Sequence, residues 1–337
     1  MEKRILIVEV NWLGDVLFST PLIRAIREKF KNAYIACLTH PRTKEILEGN
    51  PRINEIIIYD EDACHKSLLG KLRLILLLRK KRFDLAVILH RSTTRALIMR
   101  FAGIKERVGY VTNKGTRLLT LPVDVPEEDL HKVEYFLRIA AYLGCDVSQK
   151  NYEFFITEKE RKYIEETLAS AGIKKEDFVV VLNPGGNWLP KRWPEERFAC
   201  LADELIKRHD AKIIISGAER DLPLAGRVSK KMKLSPLILC GKTNLKQFGA
   251  LAQRANFVIS GDSGPMHIAV AMKTGTVALF GPTSPQLTGP YGGDNYRVIQ
   301  KNVGCEVPCY DLTCSDYRCM QAITVDDVLK VFEEMHE

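Results

Sequence analysis

Three short loops in this sequence gather the residue types that acid–base and anion chemistry require. The first, Asn11-Trp12-Leu13-Gly14-Asp15, offers one carboxylate at the start of a helical run. Aspartate there either caps the helix or accepts a proton from a hydroxyl held within hydrogen-bond reach. The positive helix end stabilises the carboxylate and so weakens it as a base. The second loop runs Asn183-Pro184-Gly185-Gly186-Asn187-Trp188-Leu189-Pro190-Lys191-Arg192-Trp193-Pro194. Its paired glycines let a ligand approach the backbone, and Lys191 can meet a diphosphate with positive charge; a plain turn with a solvated lysine is the competing account. The third, Ser260-Gly261-Asp262-Ser263-Gly264-Pro265-Met266-His267, puts the amides of Ser263 and Gly264 at the positive end of a helix, a ready anion site. Asp262 or Ser263 can equally be a cap, and His267 a satisfied core histidine. The next strand ends in Phe280-Gly281-Pro282-Thr283-Ser284-Pro285. Neither the nucleotide P-loop spacing nor GxGxxG is present, which argues against P-loop ATPases and Rossmann dehydrogenases.

These loops need elements that carry them to a common edge. Arg4 to Val10 reads as a near-continuous apolar strand and Val16 to Lys29 as an amphipathic helix, the pattern of a buried parallel sheet. Strands are expected again at Ala33 to Leu38, Glu55 to Tyr59, Asp84 to His90 and Arg107 to Val111, and helices at Thr43 to Glu48, Ser67 to Lys81 and Thr93 to Phe101. After a polar amphipathic helix, Glu158 to Ser170, the pattern restarts. Strands are expected at Phe178 to Leu182, Ala211 to Ser216, Pro236 to Leu239, Phe257 to Ser260 and Val277 to Phe280. Helices are expected between them, one opened by a capping box of Asn244 and Gln247. The expected class is α/β, with two consecutive parallel sheets and a junction between 150 and 177. In open α/β sheets ligands lie beyond the carboxyl ends of the strands, so two such domains facing each other create one cleft.

A chain of 337 residues suits about two domains of ~150 residues each. Hydrophobic residues at 46% and charged residues at 27% exclude a disordered or fibrous class. No stretch approaches the ~18 apolar residues of a membrane span and no signal-peptide architecture precedes Arg4, so the chain is expected to stay in the cytoplasm. The net charge of +8 admits phosphorylated substrates, an anionic leaflet or nucleic acid as partners. Nucleic acid is not expected, because aromatic–basic interleaving and recognised DNA-binding motifs are missing. The densest basic run, Lys71, Arg73, Arg79, Lys80, Lys81 and Arg82, brackets Leu72 and the block Leu74 to Leu78. It reads as a helix with a core face and a solvated end, or as a membrane-surface contact. Of the nine cysteines, Cys305, Cys309, Cys314 and Cys319 cluster near the C-terminus, where they are either reduced structural thiols or, lacking tight Cys-x2-Cys pairs, a structural zinc site.

The segments Gly14-Asp15-Val16-Leu17-Phe18-Ser19-Thr20-Pro21, Lys191-Arg192-Trp193-Pro194, Gly261 to His267 and Phe280 to Pro285 resemble the signature stretches of the ADP-heptose:lipopolysaccharide heptosyltransferases, glycosyltransferase family 9. Their order fits across nearly the whole chain, and the cysteine-bearing loop is most similar to the second heptosyltransferase of the inner-core pathway. The resemblance implies a GT-B fold of two Rossmann-like domains. Residues 1–157 would bind the acceptor, 158–323 the donor, and a closing helix in 324–337 would pack back on the first domain. It implies an inverting transfer without a catalytic metal or other cofactor, from ADP-L-glycero-D-manno-heptose to the lipopolysaccharide inner core, at the inner face of the inner membrane. Asp15 would be the general base. Lys191, Glu219, Asp262, Ser263, Gly264 and His267 would hold the donor, with looser assignments for Gly186, Asn187 and Thr283. Gly185-Gly186-Asn187 lacks hydroxyl side chains that some relatives carry there. The anionic acceptor is expected on the first half, with His90, Arg91, Arg95 and Arg100 as candidates, the last two read equally as a solvated helix face. A GT-B-like sugar-nucleotide epimerase, and a non-catalytic anion-binding assembly protein, are the rival readings.

Overall fold

The apolar run at the N-terminus becomes one of the two middle strands of a six-stranded sheet. In the computed structural model, which describes residues 2–309, 311 and 313–337, the chain divides into two units, Met1–Phe155 and Ile156–Glu337. The first unit holds β1 (Arg4–Val8), β2 (Tyr34–Thr39), β3 (Glu55–Ile58), β4 (Leu85–Ile88), β5 (Glu106–Tyr110) and β6 (Leu121–Val123). The second holds β7 (Val179–Asn183), β8 (Lys212–Ile215), β9 (Leu237–Ile238), β10 (Phe257–Gly261), β11 (Gly275–Phe280) and β12 (Tyr296–Gln300). The strand orders are β3-β2-β1-β4-β5-β6 and β12-β11-β10-β7-β8-β9, with all paired neighbours parallel. Counted from its own first strand, each sheet therefore has the doubly wound order 3-2-1-4-5-6. In each, the winding direction reverses between strands one and four: β1 and β4 in the first unit, β7 and β10 in the second. Ligands of such sheets bind outside the carboxyl ends at that reversal.

Most expected elements form close to their expected bounds, and three, helices Thr93–Phe101, Glu158–Ser170 and Leu245–Arg254, match at both ends. The capping box is present: the Asn244 carboxamide accepts from the Gln247 amide at 2.8 Å, and Gln247 Oε1 accepts from the Asn244 amide at 3.0 Å. β6, β12 and helix Lys132–Tyr142 have no counterpart in the sequence reading. β6 and β12 are edge strands, one containing Pro122 and the other alternating in burial, so neither shows the continuous apolar run of a central strand.

The helix after β1, Leu13–Lys29, contains Pro21, which cannot donate to the Leu17 carbonyl. The Thr20 hydroxyl donates to that carbonyl at 2.7 Å, and the Ser19 hydroxyl to Val16 O at 2.8 Å, so the helix continues through the proline.

One expectation changes: the resemblance implies that the closing helix, Val325–His336, packs back on the first domain. Its buried Val328, Leu329 and Phe332 belong instead to the second unit's core with Phe198, Phe257 and Val277. Fully burying a side chain such as Phe332 is worth ~1.5–3 kcal/mol, which fixes the helix there. Helix Leu68–Lys81 has a narrow core face of Gly70, Leu74 and Leu78, while Leu68, Leu69, Leu72, Leu76 and Leu77 are all exposed. Its apolar block is thus split between core and solvent.

Candidate functional site

At the reversal point of the first unit, the loop after β1 is held from below by a buried guanidinium. Arg95, on helix Thr93–Phe101, donates through Nη1 to the Glu9 carbonyl and through Nη2 to Asn11 Oδ1 at 2.6 Å, and lies 3.3 Å from Glu61 Oε1. The Asn11 amide in turn donates to Glu61. Trp12 takes the N-cap position with no side-chain cap bond, so Asp15 is not the cap but stands at the third helical position, partly exposed. Its carboxylate lies in the first turn, where the helix dipole favours the charged form.

Beneath the same turn lies Glu9, which the sequence reading absorbed into an apolar strand. Its side chain is fully buried, and burial pushes the carboxyl from 4.5 to about 8, against the opposing pull of the Ser19 hydroxyl and the Arg95 cation. Ser19 Oγ lies 2.9 Å from Glu9 Oε2, within hydrogen-bond distance, and Oε1 has no partner among the described residues. Ser19 is four residues after Asp15, on the same helix face, so Glu9 supports the turn that carries the candidate base.

The acceptor candidates separate. His90 and Arg91 follow β4 and line a shallow cleft with Ser92, Tyr110, Thr112 and Gly115. Burial, with the Arg95 cation second, pushes the His90 imidazole below its ordinary range, so it is neutral near pH 7, and its Nδ1 is buried without a partner among the described residues. Arg91 is exposed. Arg95 is not available to a ligand: its side chain is 3% exposed, because it points inward to hold the β1 loop. Only Leu97, Arg100 and Phe101 of its helix face outward, beyond the first turn.

In the second unit, the loops after β7, β10 and β11 converge on one carboxylate. Lys191 Nζ meets Asp262 Oδ2 at 2.6 Å, and the Thr283 hydroxyl donates to the same oxygen at 2.8 Å. His267 Nε2 lies 3.8 Å from Asp262 Oδ1, beyond hydrogen-bond distance, with its ring buried. The Lys191 ammonium also stands 5.3 Å from the Trp188 ring centre, within cation–π range. Gln300 Nε2 donates to the Thr283 and Gly281 carbonyls at 2.8 and 3.2 Å and so fixes the β11 loop from the edge strand.

Gly261 explains how these loops can meet. A Cβ there would lie 3.0 Å from the Lys191 carbonyl oxygen, so a side chain would push the two loops apart. Ser263 is the N-cap of helix Gly264–Ala271 but does not cap it with its side chain; its hydroxyl pairs with Ser260 at 3.0 Å. The first-turn amides therefore lack a side-chain acceptor from Ser263, and the helix end can receive an anion.

Elsewhere on this sheet edge, Glu219 is exposed, and the buried carboxylate is two residues on, at Asp221. The Asp221 Oδ2 accepts from the Ala218 amide at 3.0 Å. A Cβ at Gly185 would come within 2.6 Å of its carboxyl, so that glycine is required by Asp221 rather than by a ligand. Arg192 donates to the Gly186 carbonyl at 3.0 and 2.6 Å, and Arg220 to Asn187 Oδ1, so both loose donor positions already have internal partners.

Cys305 is exposed and Cys309, Cys314 and Cys319 half-buried, all free; among the described residues no three potential ligands are arranged to hold a metal. A cavity of about 510 Å³ lies at the amino-terminal end of β10 and β11, lined by residues including Phe257, Gly275 and His336. It is at the opposite strand ends from Lys191 and Asp262, and we assign the chemistry to the loops, where charge and helix end coincide.

The model of glycosyltransferase family 9 (heptosyltransferase) matches residues 71–317. Lipopolysaccharide heptosyltransferase 2 of Escherichia coli is 28% identical over 89% of each chain. The crystal structure of a family 9 glycosyl transferase from Veillonella parvula superposes with a TM-score of 0.92, at 26% identity over 99% of this chain and 98% of that one. The structure of E. coli ADP-heptose lps heptosyltransferase II gives a TM-score of 0.80 at 25% identity, over the same shares.

Proposed function

The chain belongs to glycosyltransferase family 9, and from that premise we propose that this glycosyltransferase moves heptose from ADP-L-glycero-D-manno-heptose to the lipopolysaccharide inner core, placing the second heptose on the first. The names of the relatives support the donor and acceptor classes. The observation that carries the reading is the meeting of Lys191, Asp262 and Thr283 beside an uncapped helix end, at the reversal point of the second sheet.

An acceptor hydroxyl attacks the anomeric carbon from the face opposite the diphosphate, with inversion. Asp15 takes the hydroxyl proton as the C–O bond forms. Negative charge builds on the departing ADP, and Lys191 with the first-turn amides beyond Ser263 stabilises it electrostatically. Asp262 then acts on Lys191: in the resting site it pairs with the ammonium and, with Thr283, aims it. These groups supply the leaving-group stabilisation, so the reaction runs without a divalent ion. The second unit binds the donor and the first the acceptor, with His90 and Arg91 at its cleft. The enzyme works in the cytoplasm, at the inner face of the inner membrane.

The test is ADP release from ADP-heptose, with and without a heptosylated inner-core acceptor, in EDTA, for wild type and Asp15→Ala. We expect acceptor-dependent release that survives the chelator and falls ~10²–10⁴-fold in the variant. Release without acceptor, or an unimpaired variant, would overturn the reading; conversion of the donor alone would instead favour an epimerase.

A further inference from the structure

Two neighbouring helices of the first unit, Leu68–Lys81 and Thr93–Phe101, contain no aspartate or glutamate. On the first, Leu68, Leu72 and Leu76 recur every four residues and lie on one face with Leu69; they are 48–85% exposed. Arg79 and Lys80 follow Leu76 by three and four residues and extend the same stripe, with Arg73 at its margin. On the second helix Leu97 and Phe101, 36% and 60% exposed, flank the exposed Arg100. Among the described residues none of Arg73, Arg79, Lys80 or Arg100 has a salt-bridge partner, whereas Lys81, on the inner side, is bound to Glu55 at 2.6 Å. The core thus takes Gly70, Leu74 and Leu78 of the first helix, with Ile75 packed partly buried against it.

We propose that this apolar and cationic surface docks the enzyme on an anionic lipid bilayer, the leucines and Phe101 entering the headgroup boundary while Arg79, Lys80 and Arg100 meet lipid phosphates. The proposal deepens the reading above and rests on its lipid-borne acceptor. Exposed leucines in this number cost solubility unless something covers them. Long cationic side chains beside apolar ones are how interfacial helices divide their contacts between acyl chain and headgroup. A second copy of the chain fits less well, because a symmetric contact would set unpaired cations against their own counterparts.

The test is co-sedimentation of the full chain with vesicles of phosphatidylethanolamine and phosphatidylglycerol, and with phosphatidylcholine vesicles, at low and high salt. Wild type should bind the anionic vesicles and release in high salt. Arg79→Gln/Lys80→Gln should weaken binding roughly ten- to thirtyfold, and Leu72→Gln/Leu76→Gln should weaken it at least as much. Both variants should keep wild-type circular dichroism and wild-type transfer to a delipidated, heptose-bearing core oligosaccharide, since neither pair is in the site. Equal vesicle binding by wild type and variants, no binding by wild type, or a wild-type dimer dissolved by the leucine changes would each overturn the docking surface. Each could occur with transfer intact; loss of transfer from wild type on the soluble acceptor would sink the functional reading instead.

Discussion

At the first reversal point the central carboxyl, Glu9, is buried with one oxygen unpartnered among the described residues, while at the second the carboxylate of Asp262 is met by the Lys191 ammonium and the Thr283 hydroxyl. The sheets share a strand order, yet charge is managed in opposite ways. In the first unit the guanidinium of Arg95 is spent on backbone and amide oxygens below the loop, and Asp15 is left at a helix end above it. In the second unit the cation itself belongs to the functional loop and, beside the Trp188 ring, is paired with a carboxylate that a diphosphate can replace. The difference teaches that one loop is a rigid mount for a base, and the other an electrostatic trap whose cation must stay mobile enough to meet its ligand.

The sharpest way to break this contrast is to remove each cation. Arg95→Met leaves the buried Glu9 carbonyl and Asn11 without their donor, and should cost about 2–4 kcal/mol in urea unfolding. Lys191→Ala removes charge from a partly exposed pair and should cost no more than about 1–2 kcal/mol in the same measurement. Its turnover should nonetheless fall ~10²–10³-fold, as when a donor to developing negative charge is deleted. If the two losses of stability prove equal, the distinction between mount and trap is wrong.

Parts of this arrangement are legible in the residues alone. Lys191, Asp262 and Thr283 sit in loops directly after strands, and side chains of the right type at strand ends of a parallel sheet converge by topology. Glu9 and Arg95 were not legible for a shared reason. Glu9 follows an unbroken apolar run and looks like a strand interruption, and nothing along a single sequence tells whether a charge at the strand end turns inward. Arg95 lies on a short helix whose inward positions are Arg95, Ala96, Ile98 and Met99 and whose outward ones include Leu97 and Phe101, so polarity alone points the wrong way. The pairing that reverses it, guanidinium on the Glu9 carbonyl, joins residues 86 apart in the chain. Beside Glu219, which is exposed, the 3-10 turn Glu219–Asp221 turns a second carboxylate inward, and the spacing along the chain does not distinguish the two.

The buried carboxyl offers a second, smaller test, through pH. In the unfolded chain Glu9 releases its proton near the ordinary 4.5, and in the folded chain near 8, so between those values the folded state holds the extra proton. The stability this group contributes is complete below about 4.5 and is lost as the pH rises through 8. Around Glu9 stand Arg95, whose cation opposes the shift, Ser19, whose hydroxyl binds the charged form, and Cys37, whose thiol burial and Glu9 both raise. Glu9→Gln keeps an acceptor for Ser19 and cannot ionise. Relative to wild type it should therefore gain about 3–4 kcal/mol in unfolding free energy between pH 5 and pH 8.5. Parallel pH curves for the two proteins would mean that Glu9 is charged in the fold and that the first unit, too, relies on an ion pair.

The least disruptive change probes the trap through its backbone. At Gly261 a Cβ would come 3.0 Å from the Lys191 carbonyl oxygen, a distance that the loop can relieve by yielding a few tenths of an ångström. Gly261→Ala should cost no more than ~1 kcal/mol of stability, within the ordinary range for a point change. The shift nevertheless displaces Lys191 relative to Asp262 and the helix end, and charge stabilisation falls steeply when a preorganised group is moved. We expect kcat to fall several-fold with the KM for ADP-heptose changed less, because the misplaced ammonium matters most as the diphosphate gathers charge. Were KM to rise with kcat unchanged, Lys191 would be a handle for the ground-state donor, and the resting ion pair with Asp262 would have no part in aiming it.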